Sequence, residues 1–229
     1  MIAPVEIKSR LAEVNERIRN ALISAGRADA PVTLVAVTKT FPAEYATAAI
    51  ECGVTDIGES KVQESEAKKP LVRGSVRWHL IGHLQTNKVR KALEIYDLIQ
   101  SVDSYKLARE ISRQASQPVE ILVQVNTSGE DSKYGLEPSA AREEILRISE
   151  LEHVRVMGLM TIGPYVEDES AIRKSFRELR RMFEDLVKFE SDKLKMAHLS
   201  MGMSGDFELA LAEGANMLRV GSSIFGPRG

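Results

Sequence analysis

Eight short apolar runs recur along the chain, each followed by a stretch of helical period, and this alternation limits the possible folds most severely. The runs are TLVAVTK (33–39), DIGES (56–60), WHLIG (78–82), DLIQSVD (97–103), VEILVQVNT (119–127), VRVMGLMTIG (154–163), HLSMG (198–202) and MLRVGSSIFG (217–226). Most are rich in β-branched residues and short enough to be buried strands. Helices are expected over 43–52, 61–72, 87–94, 105–116, 138–152, 168–190 and 206–214. Pro42 suits a helix start, Gly53 and Gly214 suit helix stops, and Asp103 and Ser104 are candidate caps. Ahead of the first strand, Ile7, Leu11, Val14, Ile18 and Leu22 mark one face of an amphipathic helix over 4–25. Strands alternating with helices imply a parallel sheet with helical crossovers. Eight such units in 229 residues fit a single (β/α)8 TIM barrel spanning 1–229, with an extra N-terminal helix in the place of a missing last one. The competing architecture is an open, doubly wound sheet.

Charge and residue counts narrow the function. Lys and Arg number 31 against 33 Asp and Glu, a formal net charge of −2, so no cationic excess is available for nucleic acid. The one cysteine, Cys52, allows neither an intramolecular disulfide nor a cysteine-only zinc cluster. His79 and His83 straddle a strand end in WHLIGH and do not share a helical face, so no metal site is expected. His83 reads as a loop hydrogen-bond partner, and His153 and His198 as structural. The charged N-terminus lacks the apolar core of a secretory signal, and no run of about 18 apolar residues suggests a membrane span. The expected compartment is cytoplasmic.

In a barrel of this kind, chemistry sits at the C-terminal ends of the strands. The residues there are Lys39, Glu59, Ser60, His83, Asp103, Asn126, Thr161, Ser200, Gly202 and Arg219, with Gly221, Ser222 and Ser223. Lys39 leaves an apolar strand without a break. A desolvated lysine loses pKa and can form a Schiff base with an aldehyde; the alternative is an amine that snorkels to water. LSMGMSG (199–205) and VGSSIFG (220–226) follow the last two strands, where barrels of this type often hold a phosphate on backbone N–H groups. Arg219 is a charge within an apolar strand and needs a partner. Either it forms an ion pair with an acidic strand end such as Glu59, or it faces a ring nitrogen or an anion.

These features, with VAVTKTFP (35–42), GESKVQE (58–64), WHLIGHLQTNK (78–88), VNTSGEDSKYGL (125–136), GLMTIGP (158–164), LSMGMSGDFELA (199–210) and LRVGSSIFGPR (218–228), span almost the whole sequence. Together they resemble the pyridoxal-phosphate homeostasis protein family, whose barrel is similar to the N-terminal domain of alanine racemase. The resemblance implies pyridoxal 5'-phosphate joined to Lys39 as a Schiff base, phosphate contacts from Ser200, Gly221 and Ser222, and Arg219 facing the pyridine nitrogen. Ser60 stands where many members have an asparagine that contacts the cofactor, and His83 is a further cofactor-binding candidate. The implied function is a carrier and buffer of the cofactor that supports vitamin B6 homeostasis, without significant amino-acid turnover. Apo-enzymes that use the cofactor are the implied partners, and the protein is expected to be monomeric. The alternative of a different class is a single-domain racemase or lyase. Against it stand the expected lack of a second domain carrying an acid/base tyrosine and an arginine beside the ring nitrogen, which disfavours its protonation.

Overall fold

Residues 4–130 and 133–227 are described by a computed structural model. Eight strands form a closed parallel barrel in chain order, and the last pairs with the first. They are β1 (Thr33–Val37), β2 (Asp56–Glu59), β3 (Arg77–Leu80), β4 (Leu98–Val102), β5 (Val119–Gln124), β6 (Val154–Met160), β7 (Leu194–Ser200) and β8 (Met217–Val220). The helices are α1 (Pro4–Ser24), α2 (Ala43–Glu51), α3 (Val62–Lys68), α4 (Val89–Ile95), α5 (Tyr105–Gln114), α6 (Pro138–Ser149), α7 (Glu169–Val187), α8 (Phe207–Ala212) and the single turn α9 (Ser222–Phe225). Short 3-10 turns lengthen α3 and precede α4.

Alternation along the strands makes two cores. Ala36, Ile57, Leu80 and Ile99 face outward into the layer shared with the helices. Val35, Leu98, Leu122, Met160 and Met217 fill the lumen and have no exposed surface. α1 packs against α8, α9 and α2, and thus completes the outer ring. Its five predicted apolar residues are all buried. Arg17 lies 4.5 Å from the centre of the Phe207 ring and pairs with Glu208, while Arg27 caps α8 through Leu211 O at 2.6 Å.

Several strands and helices end earlier than expected, and two elements differ most from the sequence expectation. β7 begins at Leu194, four residues early, because the exposed Lys195 and Ala197 alternate with buried residues and break up the apolar run. The last run leaves the sheet at Gly221 and coils into α9. The register also shifts between β6 and β7 at Gly158, whose φ is +144°. A Cβ there would lie 1.9 Å from the His198 carbonyl oxygen, so only glycine fits this bulge.

Candidate functional site

The C-terminal ends of β8, β1 and β2 are neighbours in the sheet, which brings three separated sequence motifs together. Lys39 sits half-buried on the turn that leaves β1. The next residue, Thr40, has φ +69°, the one positive φ of a non-glycine among the described residues. That strain is held by Glu64, which accepts the Thr40 N–H at 2.6 Å. On the other side of Lys39, Thr38 is gripped twice. Its hydroxyl donates to Glu59 Oε1 at 2.7 Å, and its carbonyl accepts from Lys68 Nζ at 2.9 Å. Lys68 also reaches Glu59 at 2.6 Å and Glu64 at 3.0 Å. Lys68 and the two glutamates thus clamp the lysine turn to β2 and α3. Beyond the turn, Phe41 stacks on Tyr45 at 5.0 Å and packs on Phe225 at 5.4 Å, tying it to the loop after β8.

Glu59 therefore does not pair with Arg219, which corrects one of the two sequence expectations for that arginine. Lys68, from the polar helix, reaches it first. Burial raises the pKa of Glu59 against the opposing pull of Lys68 and Thr38, and its buried Oε2 has no hydrogen-bond partner among the described residues. Arg219 lies in the lumen with 4% of its surface exposed. It donates from Nη1 to Ser200 Oγ at 2.6 Å and from Nη2 to the Thr161 carbonyl at 2.7 Å. Burial lowers its pKa to about 10, partly offset by the field of Asp206, so it stays cationic at neutral pH.

The two serine-rich loops meet beside this arginine. Gly202 has φ +95°, and a Cβ there would lie 2.7 Å from Ala210, so the first loop needs glycine to turn. The turn brings Ser204 against the second loop. Its Oγ accepts the N–H groups of Gly221 at 3.2 Å and Ser223 at 3.3 Å. Two amides that converge on one oxygen form a cradle that can hold an anion in its place. Ser222 stands between these amides with its side chain exposed. Ser200, expected in this cradle, lies below it with no exposed surface. Its hydroxyl is taken up by Arg219 and by Gln100 Oε1 at 2.7 Å, so it has no proton left for a ligand in the loop. Ser204, which stands in the cradle, has no separate signal in the sequence, being one more serine in a Gly/Ser run.

The remaining candidates lie around the same end. Ser60 follows β2 directly and is half-buried. His83, on the loop after β3, bonds Asp103 at 2.8 Å and stacks on Tyr134 with ring centres 3.9 Å apart. Asn126 is turned to its own loop, through the Glu130 carbonyl at 3.0 Å. Among the described residues, no group of three His, Cys, Asp or Glu could hold a metal ion, and no helix is long and apolar enough to cross a membrane.

A donor-only arginine, a lysine on a strained turn and an amide cradle suit a ligand with a ring acceptor, an aldehyde and a phosphate. Comparison with known proteins agrees with that chemistry. The model of the alanine racemase N-terminal domain matches residues 13–229. The pyridoxal phosphate homeostasis protein of Aquifex aeolicus is 40% identical over 223 residues, covering 96% of this chain and 97% of its own. Among solved structures, an unknown protein from Bifidobacterium adolescentis is 39% identical with a TM-score of 0.93, covering 98% of each chain. PipY of Synechococcus elongatus, solved with PLP bound, is 35% identical with a TM-score of 0.83, covering 96% of this chain and all of its own.

Proposed function

The chain belongs to the pyridoxal phosphate homeostasis protein family, and from that premise we propose that it binds pyridoxal 5'-phosphate at the C-terminal end of its barrel, to carry and buffer the cofactor in vitamin B6 homeostasis. When bound, pyridoxal phosphate supplies an aldehyde that condenses with amines and a ring that draws electrons once its nitrogen is protonated. Lys39 offers the amine that holds the aldehyde. Its turn is fixed from both sides by Thr38 and Thr40, so the backbone that carries it need not be ordered at the moment of binding. The Gly221 and Ser223 amides, with the hydroxyls of Ser204 and Ser222, receive the phosphate. Ser60 and His83 complete the set as flanking contacts from the loops after β2 and β3.

The observation that carries the reading is Arg219. It is a buried cation, and among the described residues no carboxylate lies within ion-pair distance of it. Facing the ring nitrogen, it donates a hydrogen bond and does not hand over a proton, because its pKa stays near 10. A carboxylate in that place would stabilise the pyridinium; an arginine opposes it. The chain's own residues thus hold the ring without preparing it as a strong electron sink. Storage and delivery to apo-enzymes follow from that arrangement better than amino-acid turnover does, and the outer helices, taken up by the barrel, favour a monomer.

The test is optical. Pyridoxal phosphate added to the purified protein is expected to give a visible absorption band distinct from that of the free aldehyde. Amino acids added to the loaded protein are expected to be turned over far below the roughly 1–1000 s⁻¹ of ordinary enzymes. An unchanged spectrum would remove the cofactor, and racemase- or lyase-like rates would replace the carrier by an enzyme.

A further inference from the structure

The lumen of a TIM barrel is normally filled by branched aliphatic side chains. Here a continuous string of polar ones crosses it: Arg219 on β8, Ser200 on β7, Gln100 on β4, His79 on β3 and Asp56 on β2. None is more than 8% exposed. Buried polar groups are costly unless every one is satisfied, so such a string needs a reason.

Its direction follows from elementary chemistry. Arginine can only donate, so Ser200 Oγ accepts from Nη1. The one serine proton then goes to Gln100 Oε1 at 2.7 Å. That fixes the amide and turns its nitrogen to His79 Nδ1 at 2.8 Å, which must accept. The imidazole proton therefore sits on Nε2 and is donated to Asp56 Oδ1 at 2.8 Å. Burial lowers the pKa of His79 more than Asp56 raises it, and the ring is neutral. Burial also acts to raise Asp56, but hydrogen bonds from His79 and Thr55 and the nearby charges hold it below its usual value, so it is ionised. A cation and an anion are thus joined by hydrogen bonds that all run one way. Asp206 acts on Arg219 only through space.

We propose that Asp56 is the remote counter-charge of Arg219, and that Ser200, Gln100 and His79 are positioning residues that transmit it and set how strongly Arg219 donates to the ligand's ring nitrogen. This rests on the reading that Arg219 faces that nitrogen. With its proton committed to Gln100, Ser200 can only accept, which fixes the guanidinium plane. Hydrogen bonds in series polarise one another, so the charge of Asp56 strengthens each acceptor along the chain. If the string merely solvated Arg219, Ser200 alone would suffice and the charge on Asp56 would be immaterial.

Two variants separate these cases. Asp56→Asn keeps shape and acceptor but removes the charge, and Gln100→Met cuts the chain at similar volume. The ¹H–¹⁵N resonances of the Arg219 guanidinium are followed in the ligand-free protein. Affinities are also compared for pyridoxal phosphate and its carbocyclic analogue lacking the ring nitrogen. Both variants are expected to shift the Arg219 resonances and to cut the preference for pyridoxal phosphate about tenfold, the scale of one charge-assisted hydrogen bond, with the analogue little affected. Unmoved Arg219 resonances in folded Asp56→Asn overturn the relay, as does an unchanged preference. Failure of the functional reading looks different, because the wild-type protein would then bind neither compound, or both equally. The ligand-free resonances decide the relay in that event, and Asp56→Asn decides it alone if Gln100→Met does not fold.

Discussion

Lys68 shows how one side chain can organise a site without belonging to it. It is a buried lysine whose three oxygen partners lie on two strand ends and its own helix. Replacing it with Met leaves Glu59 buried and uncompensated, a change that typically costs about 3–5 kcal/mol at neutral pH. Urea denaturation should show that loss, and the loss should shrink on acidification as Glu59 takes up a proton. An undiminished deficit at low pH would mean the lysine acts through packing alone. His79 gives a second pH signature. Burial lowers its folded-state pKa from 6.5, and His198 shifts the same way for the same leading reason. Below about pH 6.5 the unfolded chain gains protons that the folded chain refuses. Their contribution is therefore complete above that pH and is lost as pH falls. His79→Gln should flatten the decline in melting temperature between about pH 7 and 5, and a decline as steep as in the wild type would remove His79 as its source. At this scale the sequence was legible in part. Lys39 and Arg219 stand out because each is a charge leaving or interrupting an apolar run. Their partners do not, since sequence cannot say which of two cations reaches Glu59, nor that the serine of LSMG points inward.

Among the elements, the loops after β7 and β8 act as one unit through Ser204. Adding bulk where two amides converge should obstruct a phosphate and little else. Ser204→Val is expected to weaken pyridoxal phosphate about tenfold or more, the worth of a lost charge-assisted bond, and pyridoxal only slightly. Titration of both ligands measures this, and equal losses would show that the loops do not read phosphate. Gly158 makes the opposite kind of prediction, about stability rather than ligand. Alanine there meets both a positive φ and the His198 carbonyl, so Gly158→Ala should cost at least about 2 kcal/mol by chemical denaturation. Period and turn residues made all eight strands legible. The bulges were not, because a register shift is a property of two strands together. The true start of β7 was hidden by side chains that alternate between core and water.

For the whole molecule, alternation implies a parallel sheet and the count of eight units a barrel, but closure depends on α1. Its five buried apolar side chains contribute about 1.5–3 kcal/mol each. That sum is comparable to the net stability of a domain, about 5–15 kcal/mol. Deleting residues 4–24 should therefore abolish cooperative unfolding as followed by circular dichroism, and a deletion variant that still melts sharply would show that the barrel closes without it. The polar lumen was the least legible feature at this scale. Asp56, His79 and Gln100 lie on three neighbouring strands, and they meet Ser200 and Arg219 only when the barrel closes. In the proposed function, this closure builds a cofactor site around Lys39. Borohydride reduction of the protein loaded with pyridoxal phosphate, followed by peptide mapping, is the decisive measurement. A pyridoxyl group is expected on Lys39 and is lost in Lys39→Ala; the label on Lys61, Lys88 or Lys133 in its place would overturn the Lys39 site.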